Sequence, residues 1–239
     1  MNRPQRALAI ALVTGVGLAA GFLSYRLQSL QPLPAARSPL PPSSGPGPFV
    51  IEPDSGSGST DQPPPPVPDS VPDLTLPDLS GKSRSLRSFG DRPLIINFWA
   101  TWCAPCRREI PLLRDLRQRY RPDRLEVVGI AVDFAAAVRD YLRATPIDYP
   151  LLIGEQDGLQ AAEQFGMRTV LPFSVFVDAR GRIVALKVGE LHVEEADFIL
   201  GEIRSLDRGE IGIQAARAQI EAQLRQLAIE RAQAQQNNG

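Results

Sequence analysis

The sequence contains very little of the residues that most often hold metals and haem. Its 239 residues include one histidine, His192, and two cysteines, Cys103 and Cys106. A structural zinc site needs four ligands, more than these three residues supply, and a catalytic one needs three, so it would have to use the histidine and both cysteines together. Arg107 stands where a c-type haem attachment requires histidine. The sequence therefore predicts neither a metal nor a cofactor.

A surplus of one charge is also lacking. The 26 lysine and arginine residues and the 27 aspartate and glutamate residues leave a net charge of −1. Nucleic-acid-binding domains carry a basic surplus, and cation stores an acidic one. Neither class is predicted.

Both cysteines lie in one tetrapeptide, Cys103-Ala104-Pro105-Cys106. A disulfide that closes so short a loop adds little stability, because the stabilisation grows with loop length. The alternatives are a redox-active pair, which this spacing indicates, and a coincidence without chemistry. We favour the redox-active pair.

The N-terminus has the pattern of a membrane segment. Arg3 and Arg6 precede an apolar run at residues 7–23, which is close to the shortest spanning helix. Because the positive charges precede the run, the rest of the chain is expected outside the cytoplasm. Small residues at 19–21 leave a cleavable signal peptide as the alternative. We expect residues 1–30 to be a single-pass anchor in the cytoplasmic membrane, with the following domain facing the periplasm or cell exterior.

Residues 31–69 are predicted to be a disordered linker. Thirteen of these 39 residues are proline, and glycine and serine fill most of the gaps. Such a segment lacks the backbone donors and the apolar mass needed to pack. A spacer is the favoured interpretation, and recognition by a proline-binding domain is the alternative.

Residues 70–207 alternate between strand and helix patterns. After a short hairpin near Leu74, a continuous apolar run at 94–99 is typical of a strand buried on both faces. Strands alternating with helices and followed by a hairpin predict a three-layer α/β sandwich. The further predicted elements are a helix from the cysteines to Pro122, strands at 125–132 and 151–153, helices at 135–143 and 159–165, a hairpin at 173–177 and 183–188, and a helix at 193–206.

Residues 208–239 form an alanine- and glutamine-rich tail that is predicted to be helical. Ile213, Ile220, Leu224 and Leu227 make a narrow apolar stripe. A solvated helix and a helix that docks on a partner or in a coiled coil are both consistent with this stripe, because it covers few heptads.

The segment from Asn97 to Pro111 reads Asn-Phe-Trp-Ala-Thr-Trp-Cys-Ala-Pro-Cys-Arg-Arg-Glu-Ile-Pro. It resembles the TlpA/ResA/DsbE-like branch of the thioredoxin superfamily, and the resemblance extends from Leu74 to Leu206. It implies a thioredoxin fold, an α/β/α sandwich with a mixed central sheet. It also implies a thiol:disulfide oxidoreductase whose active site is Cys-Ala-Pro-Cys.

The sequence pattern by itself also predicts that the two sulfurs occupy different positions on the helix. A buried strand ends at Trp99 and a helix begins near Ala104, so Cys103 is expected at the helix N-terminus and at the surface. Unpaired N–H groups and the helix dipole stabilise a thiolate there. Cys106 lies one turn further and is expected to be more buried, so Cys103 attacks and Cys106 resolves.

Glu109 follows Cys106 by three residues and shares its helix face. It is either a solvated carboxylate or a proton acceptor for Cys106, and the resemblance implies a role in tuning the cysteines. Asn97 stands where thioredoxin carries a buried acid. Because this departure removes the usual buried acid, Glu109 becomes the stronger candidate for the proton acceptor.

The resemblance also implies a substrate surface. It predicts a cis peptide bond before Pro172, which presents the preceding backbone to a substrate chain. Leu171 departs from the small or β-branched residue expected before this proline. Trp102 is predicted to be a partly exposed wall of the surface, Trp99 to be in the core, and His192 to be an ordinary surface residue.

These expectations combine into one function, the reduction of disulfides in exported proteins. The resemblance suggests apocytochrome c as substrate and a membrane electron donor of the DsbD/CcdA type. One alternative is a peroxiredoxin-type peroxidase, which needs threonine where Ala100 stands, three residues before Cys103. The other is a non-catalytic, membrane-tethered interaction module.

Overall fold

The computed structural model describes residues 67–167 and 170–237. The predicted anchor and the linker up to residue 66 lie outside the described residues. No helix within the described ranges has both the length and the hydrophobicity that a membrane span requires. In chain order the elements are β1 (Thr75–Pro77), β2 (Ser83–Ser85), β3 (Leu94–Trp99), α1 (Ala104–Arg119), β4 (Glu126–Ala131), α2 (Ala135–Ala144), β5 (Leu151–Ile153), α3 (Gln156–Gln164), β6 (Phe173–Val177), β7 (Ile183–Val188), α4 (Val193–Asp207) and α5 (Ile213–Asn237).

The central sheet has the strand order β5-β4-β3-β6-β7. The β3–β4 and β4–β5 pairs are parallel, whereas β6 pairs antiparallel with β3 and with β7. All six residues of β3 are buried, as the continuous apolar run at 94–99 predicts for a central strand covered on both faces. The sheet is therefore mixed, and β3 lies at its centre.

The two faces of the sheet are covered by different elements. On one face Ile95 and Trp99 pack with α1, α4 and α5, and on the other Ile96 and Phe98 pack with α3 and the β1–β2 hairpin. Side chains alternate between the faces along β3, so one strand supplies both cores. The predicted three-layer thioredoxin-like α/β fold is confirmed.

Helix α3 begins three residues earlier than the sequence predicts. Gly158 lies in its first turn, where a Cβ atom would be 3.3 Å from the Cα of Val132. The glycine allows the helix to approach the end of β4 closely. Because glycine has a low helix propensity, the sequence predicts that the helix starts only after Gly158.

The tail helix α5 packs on its own domain, which neither interpretation of the tail anticipated. Ala216 and Ile220 are buried in the core shared with α4. The Arg217 guanidinium donates to the carbonyl oxygen of Ile183 on β7 at 2.6 and 3.1 Å, and also bonds Asp69. Helix α5 therefore belongs to the folded domain along much of its length.

A pair of alanine substitutions on α5 tests this packing. Ile220→Ala is expected to lower the free energy of unfolding by about 2–4 kcal/mol, because it opens a cavity at a site that is 2% exposed. Ile229→Ala makes the same change where the side chain is 47% exposed and should cost less than about 1 kcal/mol. Chemical denaturation of both variants measures the difference. Equal losses would contradict the docked arrangement.

Candidate active site

The sheet delivers the cysteine pair at the end of its central strand. Strand β3 ends at Trp99, and α1 begins at Ala104 with Cys103 as its N-cap residue. The Cys103 sulfur accepts a hydrogen bond from the Cys106 N–H at 3.3 Å. Pro105 fits the first turn because its missing N–H would have no helical partner there. The N-terminal position predicted for Cys103 is confirmed.

Cys103 and Cys106 are joined in a disulfide with a Cα–Cα distance of 5.3 Å. Cys106 is fully buried, and Cys103 is only 5% exposed. The expectation that Cys103 lies openly at the surface is therefore wrong. Both sulfurs pack into the hydrophobic cluster beside Ala100, so only a small part of Cys103 is exposed.

An aspartate from the neighbouring strand holds the turn that leads to the cysteines. The Thr101 N–H and hydroxyl donate to the Asp133 carboxylate at 2.9 and 2.6 Å. Asp133 lies just after β4 and is 5% exposed. Sequence reasoning missed this contact because its partners are 32 residues apart. It fixes the backbone two residues before Cys103.

Removing one of these bonds should loosen the turn measurably. Thr101→Val deletes the hydroxyl donor to a nearly buried carboxylate, and we expect it to lower the free energy of unfolding by about 1.5–3 kcal/mol. Thr75→Val makes the same change at an exposed position of β1 and should have little effect. Urea denaturation of the two variants checks this. No difference between them would rule out the assigned role.

Glu109 is a buried carboxylate, not a solvated one. It is 1% exposed. One oxygen accepts from the Asn97 amide at 2.7 Å, and the other accepts from the Leu191 N–H at 2.7 Å. Burial raises the pKa of Glu109 to about 7, although both hydrogen bonds oppose the shift. The carboxyl therefore changes charge near neutral pH.

Asn97 forms a hydrogen bond with Glu109. Its amide nitrogen also lies 3.1 Å from the Ser174 hydroxyl, and within the described residues its oxygen has no partner. Rotation of the amide would present that oxygen to a protonated Glu109. Asn97 is thus suited to bond Glu109 in both charge states.

Charged groups from β7 and the loop after it surround Glu109. Lys187 favours its ionised form, and Glu190 disfavours it. Arg108 forms a salt bridge with Glu190 and so ties α1 to this loop. His192 is half-buried and is the N-cap residue of α4.

Two of the three residues predicted to contact substrate, Trp102 and Leu171, line one groove. The peptide bond between Leu171 and Pro172 is cis, as the resemblance implied. Trp102 is 70% exposed, and with Leu171 it lines an apolar groove of about 250 Å³ that also includes Leu159 and Met167. Trp99 is fully buried, as predicted. The role of the groove in binding substrate stays a prediction.

Comparison with known proteins agrees with this site. The AhpC/TSA family profile matches residues 67–186. Thiol-disulfide oxidoreductase ResA of Bacillus thuringiensis subsp. konkukian (strain 97-27) is 28% identical over 134 residues, which cover 56% of this chain and 76% of the relative. Thioredoxin-like protein YneN of Bacillus subtilis (strain 168) is 33% identical over 133 residues, covering 53% and 74%.

A solved structure shows the same fold. The solution structure of a candidate protein disulfide isomerase from Bacteroides thetaiotaomicron has a TM-score of 0.51 and 23% identity, covering 63% of this chain and 94% of the other. The family match spans about half of the chain and contains both cysteines, Glu109 and Pro172. The chain belongs to the AhpC/TSA family and, within the thioredoxin-fold proteins, to the TlpA/ResA/DsbE-like group.

Proposed function

We propose that this protein is an extracytoplasmic thiol-disulfide oxidoreductase that reduces disulfides in exported proteins. The observation that carries the proposal is the Cys103–Cys106 disulfide at the N-terminus of α1. Cys103 caps the helix with its sulfur, the position in which a thiolate is stabilised by unpaired N–H groups and by the helix dipole. The names of the relatives support the same reaction.

The first step is an attack by the reduced protein. The Cys103 thiolate forms a bond to one sulfur of the target disulfide, and the target S–S bond breaks. The other target sulfur leaves as a thiolate and takes a proton from water. The product is a mixed disulfide between Cys103 and the target.

The second step releases the target. Glu109 in its carboxylate form accepts the proton of the Cys106 thiol, and the Cys106 thiolate then attacks the Cys103 sulfur. The Cys103–Cys106 bond forms as the mixed disulfide breaks, and the released target sulfur leaves as a thiolate that takes a proton from water. Two electrons have passed from the protein to the target, which leaves with two thiols. An external dithiol donor must then reduce the protein for another cycle.

Substrate recognition is assigned to Trp102, Leu171 and Pro172. The exposed indole of Trp102, which directly precedes Cys103, and the side chain of Leu171 offer an apolar surface to the substrate. An extended target segment would lie against the backbone before Pro172. The bulk of Leu171 would favour a substrate with a small residue facing it.

Location and partners are inferred from the N-terminal sequence and the resemblance. The apolar run at 7–23 behind Arg3 and Arg6 supports a single-pass anchor, and the proline-rich linker supports a long tether. A tethered domain remains near a membrane electron donor of the DsbD/CcdA type. Apocytochrome c is the substrate that the resemblance favours.

The alternatives are less well supported. A peroxidase of the peroxiredoxin type needs threonine at the position of Ala100, and the neighbouring hydroxyl of Thr101 donates to Asp133. A non-catalytic tethered module does not require a disulfide at a helix N-terminus. Neither is proposed.

The midpoint potential of the Cys103–Cys106 pair tests the direction of exchange. We expect it nearer to that of thioredoxin, about −270 mV, than to that of the oxidant DsbA, about −120 mV. Equilibration with glutathione or dithiothreitol buffers gives the value, and insulin reduction gives the activity. A potential close to −120 mV would make the protein an oxidase. No insulin reduction at any pH would remove the proposed function.

A further inference from the structure

Helix α5 contacts the part of the domain that holds Glu109. Near the end of the helix, the Arg231 guanidinium donates to the Glu195 carboxylate at 3.0 Å. Glu195 lies in the first turn of α4 and is 1% exposed. Its second oxygen accepts from the His192 N–H at 3.0 Å and lies 3.5 Å from the Lys187 ammonium. A buried carboxylate therefore joins the tail helix to the end of β7.

Lys187 is bonded on its other side to the loop between β7 and α4. Its ammonium donates to the carbonyl oxygens of Val188 and Glu190 at 2.9 and 3.1 Å. With 13% of its side chain exposed, Lys187 is held by its partners and is not free in solvent. It bridges Glu195 and this loop.

The peptide unit between Glu190 and Leu191 is the last connection. Its carbonyl oxygen accepts from Lys187, and its N–H donates to Glu109 at 2.7 Å. A cation on the carbonyl side polarises the peptide and strengthens the N–H as a donor. Lys187 therefore acts on Glu109 through one peptide unit as well as directly through space.

We propose that Arg231, Glu195 and Lys187 are positioning residues, through which helix α5 holds the Glu109 carboxylate ready to accept the Cys106 proton. The proposal rests on the proposed function and adds to it a role for the tail. The family match ends at residue 186, so all three residues lie outside the matched segment.

The expected effect of losing Arg231 has a definite sign. Without it, Lys187 becomes the only cation paired with the buried Glu195 carboxylate among the residues that the structure describes, and it is drawn away from the loop carbonyls. The Leu191 N–H becomes a weaker donor, and the ionised form of Glu109 loses stability. The pKa of Glu109 therefore rises, and the carboxylate that accepts the Cys106 proton forms only at a higher pH.

Other groups also face Glu109 and remain in place when Arg231 is changed. Asn97 bonds it from β3, Glu190 lies in the loop, and Tyr149 is buried beside β5. Burial is the main cause that raises the pKa of Tyr149, so its hydroxyl stays neutral around pH 7. The change in the pKa of Glu109 that follows the loss of Arg231 is therefore added to the unchanged effects of these groups.

The test follows the second step with a chromogenic disulfide, 5,5′-dithiobis(2-nitrobenzoate). The full chain, reduced beforehand, releases one thionitrobenzoate when Cys103 attacks and a second when Cys106 resolves the mixed disulfide. In the wild type the rate of the second release is expected to rise with a midpoint near pH 7. Arg231→Met should move this midpoint to higher pH, and Lys187→Met should move it further, by roughly one pH unit.

Two variants separate positioning from stability. Arg231→Lys keeps the cation and should restore the wild-type midpoint. Arg225→Met removes an exposed arginine of the same helix, which pairs with Glu221 at 2.6 Å, and should leave the midpoint unchanged. Circular dichroism across the pH range shows that each variant is folded where its rate is measured.

Several outcomes would overturn the inference. One is a wild-type midpoint in Arg231→Met, even if the variant is less stable. Another is a shift in Lys187→Met alone, which would restrict the role to β7. A wild type that releases neither thionitrobenzoate would instead contradict the proposed function.

Discussion

Replacing Cys103 by serine is expected to reduce disulfide exchange to the uncatalysed background. The variant keeps one thiol, that of Cys106, which is 0% exposed and cannot reach a substrate disulfide. Replacing Cys106 by serine leaves the attack intact but removes the resolving sulfur. The reduced Cys106→Ser chain should therefore release one thionitrobenzoate and remain a stable mixed disulfide.

The same pair of variants identifies the partner. Expressed with its full N-terminal segment, Cys106→Ser should accumulate in complexes with exported proteins that dissociate with dithiothreitol, and Cys103→Ser should not. Mass spectrometry of the captured chains names the substrate. Equal capture by both variants would show that the assigned order of the two sulfurs is wrong.

Glu109→Gln is expected to have the next largest effect. Because the amide cannot accept a proton, the second thionitrobenzoate release should slow by about 10²-fold at neutral pH, in the range of general-base contributions. The rise in rate through pH 7 should also disappear, because that rise follows the ionisation of Glu109. The first release, which depends on Cys103, should change much less.

Stability gives an independent reading of the same group. The pKa of Glu109 is about 7 in the folded protein, above the ordinary glutamate value of about 4.3. The folded state therefore binds the proton more tightly, and this stabilisation is present at low pH and lost as the pH rises through 7. Wild type should lose about 3 kcal/mol between pH 4.3 and 7 relative to Glu109→Gln.

A control fixes the interpretation of both measurements. Glu194→Gln makes the same substitution at an exposed position in the first turn of α4. Neither its pH–rate profile nor its pH–stability curve should differ from those of the wild type. If Glu109→Gln behaves in the same way, Glu109 is not the proton acceptor.

The local parts of the site could be predicted from the sequence. The continuous apolar run predicts β3, and the end of that run places Cys103 at the start of a helix. The spacing of Cys106 and Glu109 places both on one helix face. Each of these inferences needs only neighbouring residues and the period of a strand or a helix.

The environment of Glu109 could not be predicted in the same way. Its partner Leu191 lies 82 residues away, and that contact depends on how the β7–α4 loop closes over α1. Burial decides whether a carboxyl titrates near 4 or near 7, and no local pattern reports it. The pKa of the group thus follows from the tertiary structure.

The tail was ambiguous for a related reason. A stripe of a few aliphatic residues shows that one helix face is apolar but does not show what covers it. In α5 the most deeply buried side chain is that of Ala216, which is small and so carries little signal in a sequence. The arginines that attach the helix, Arg217 and Arg231, look like solvated charges until their partners are known.

The positions of the two tryptophans give the protein an intrinsic optical reporter. Trp99 is shielded from water, whereas Trp102 is mostly exposed and directly precedes the redox-active sulfur. A disulfide quenches the fluorescence of an adjacent indole, so reduction should brighten the emission of Trp102. Turnover of the unlabelled enzyme can thus be followed by its intrinsic tryptophan fluorescence.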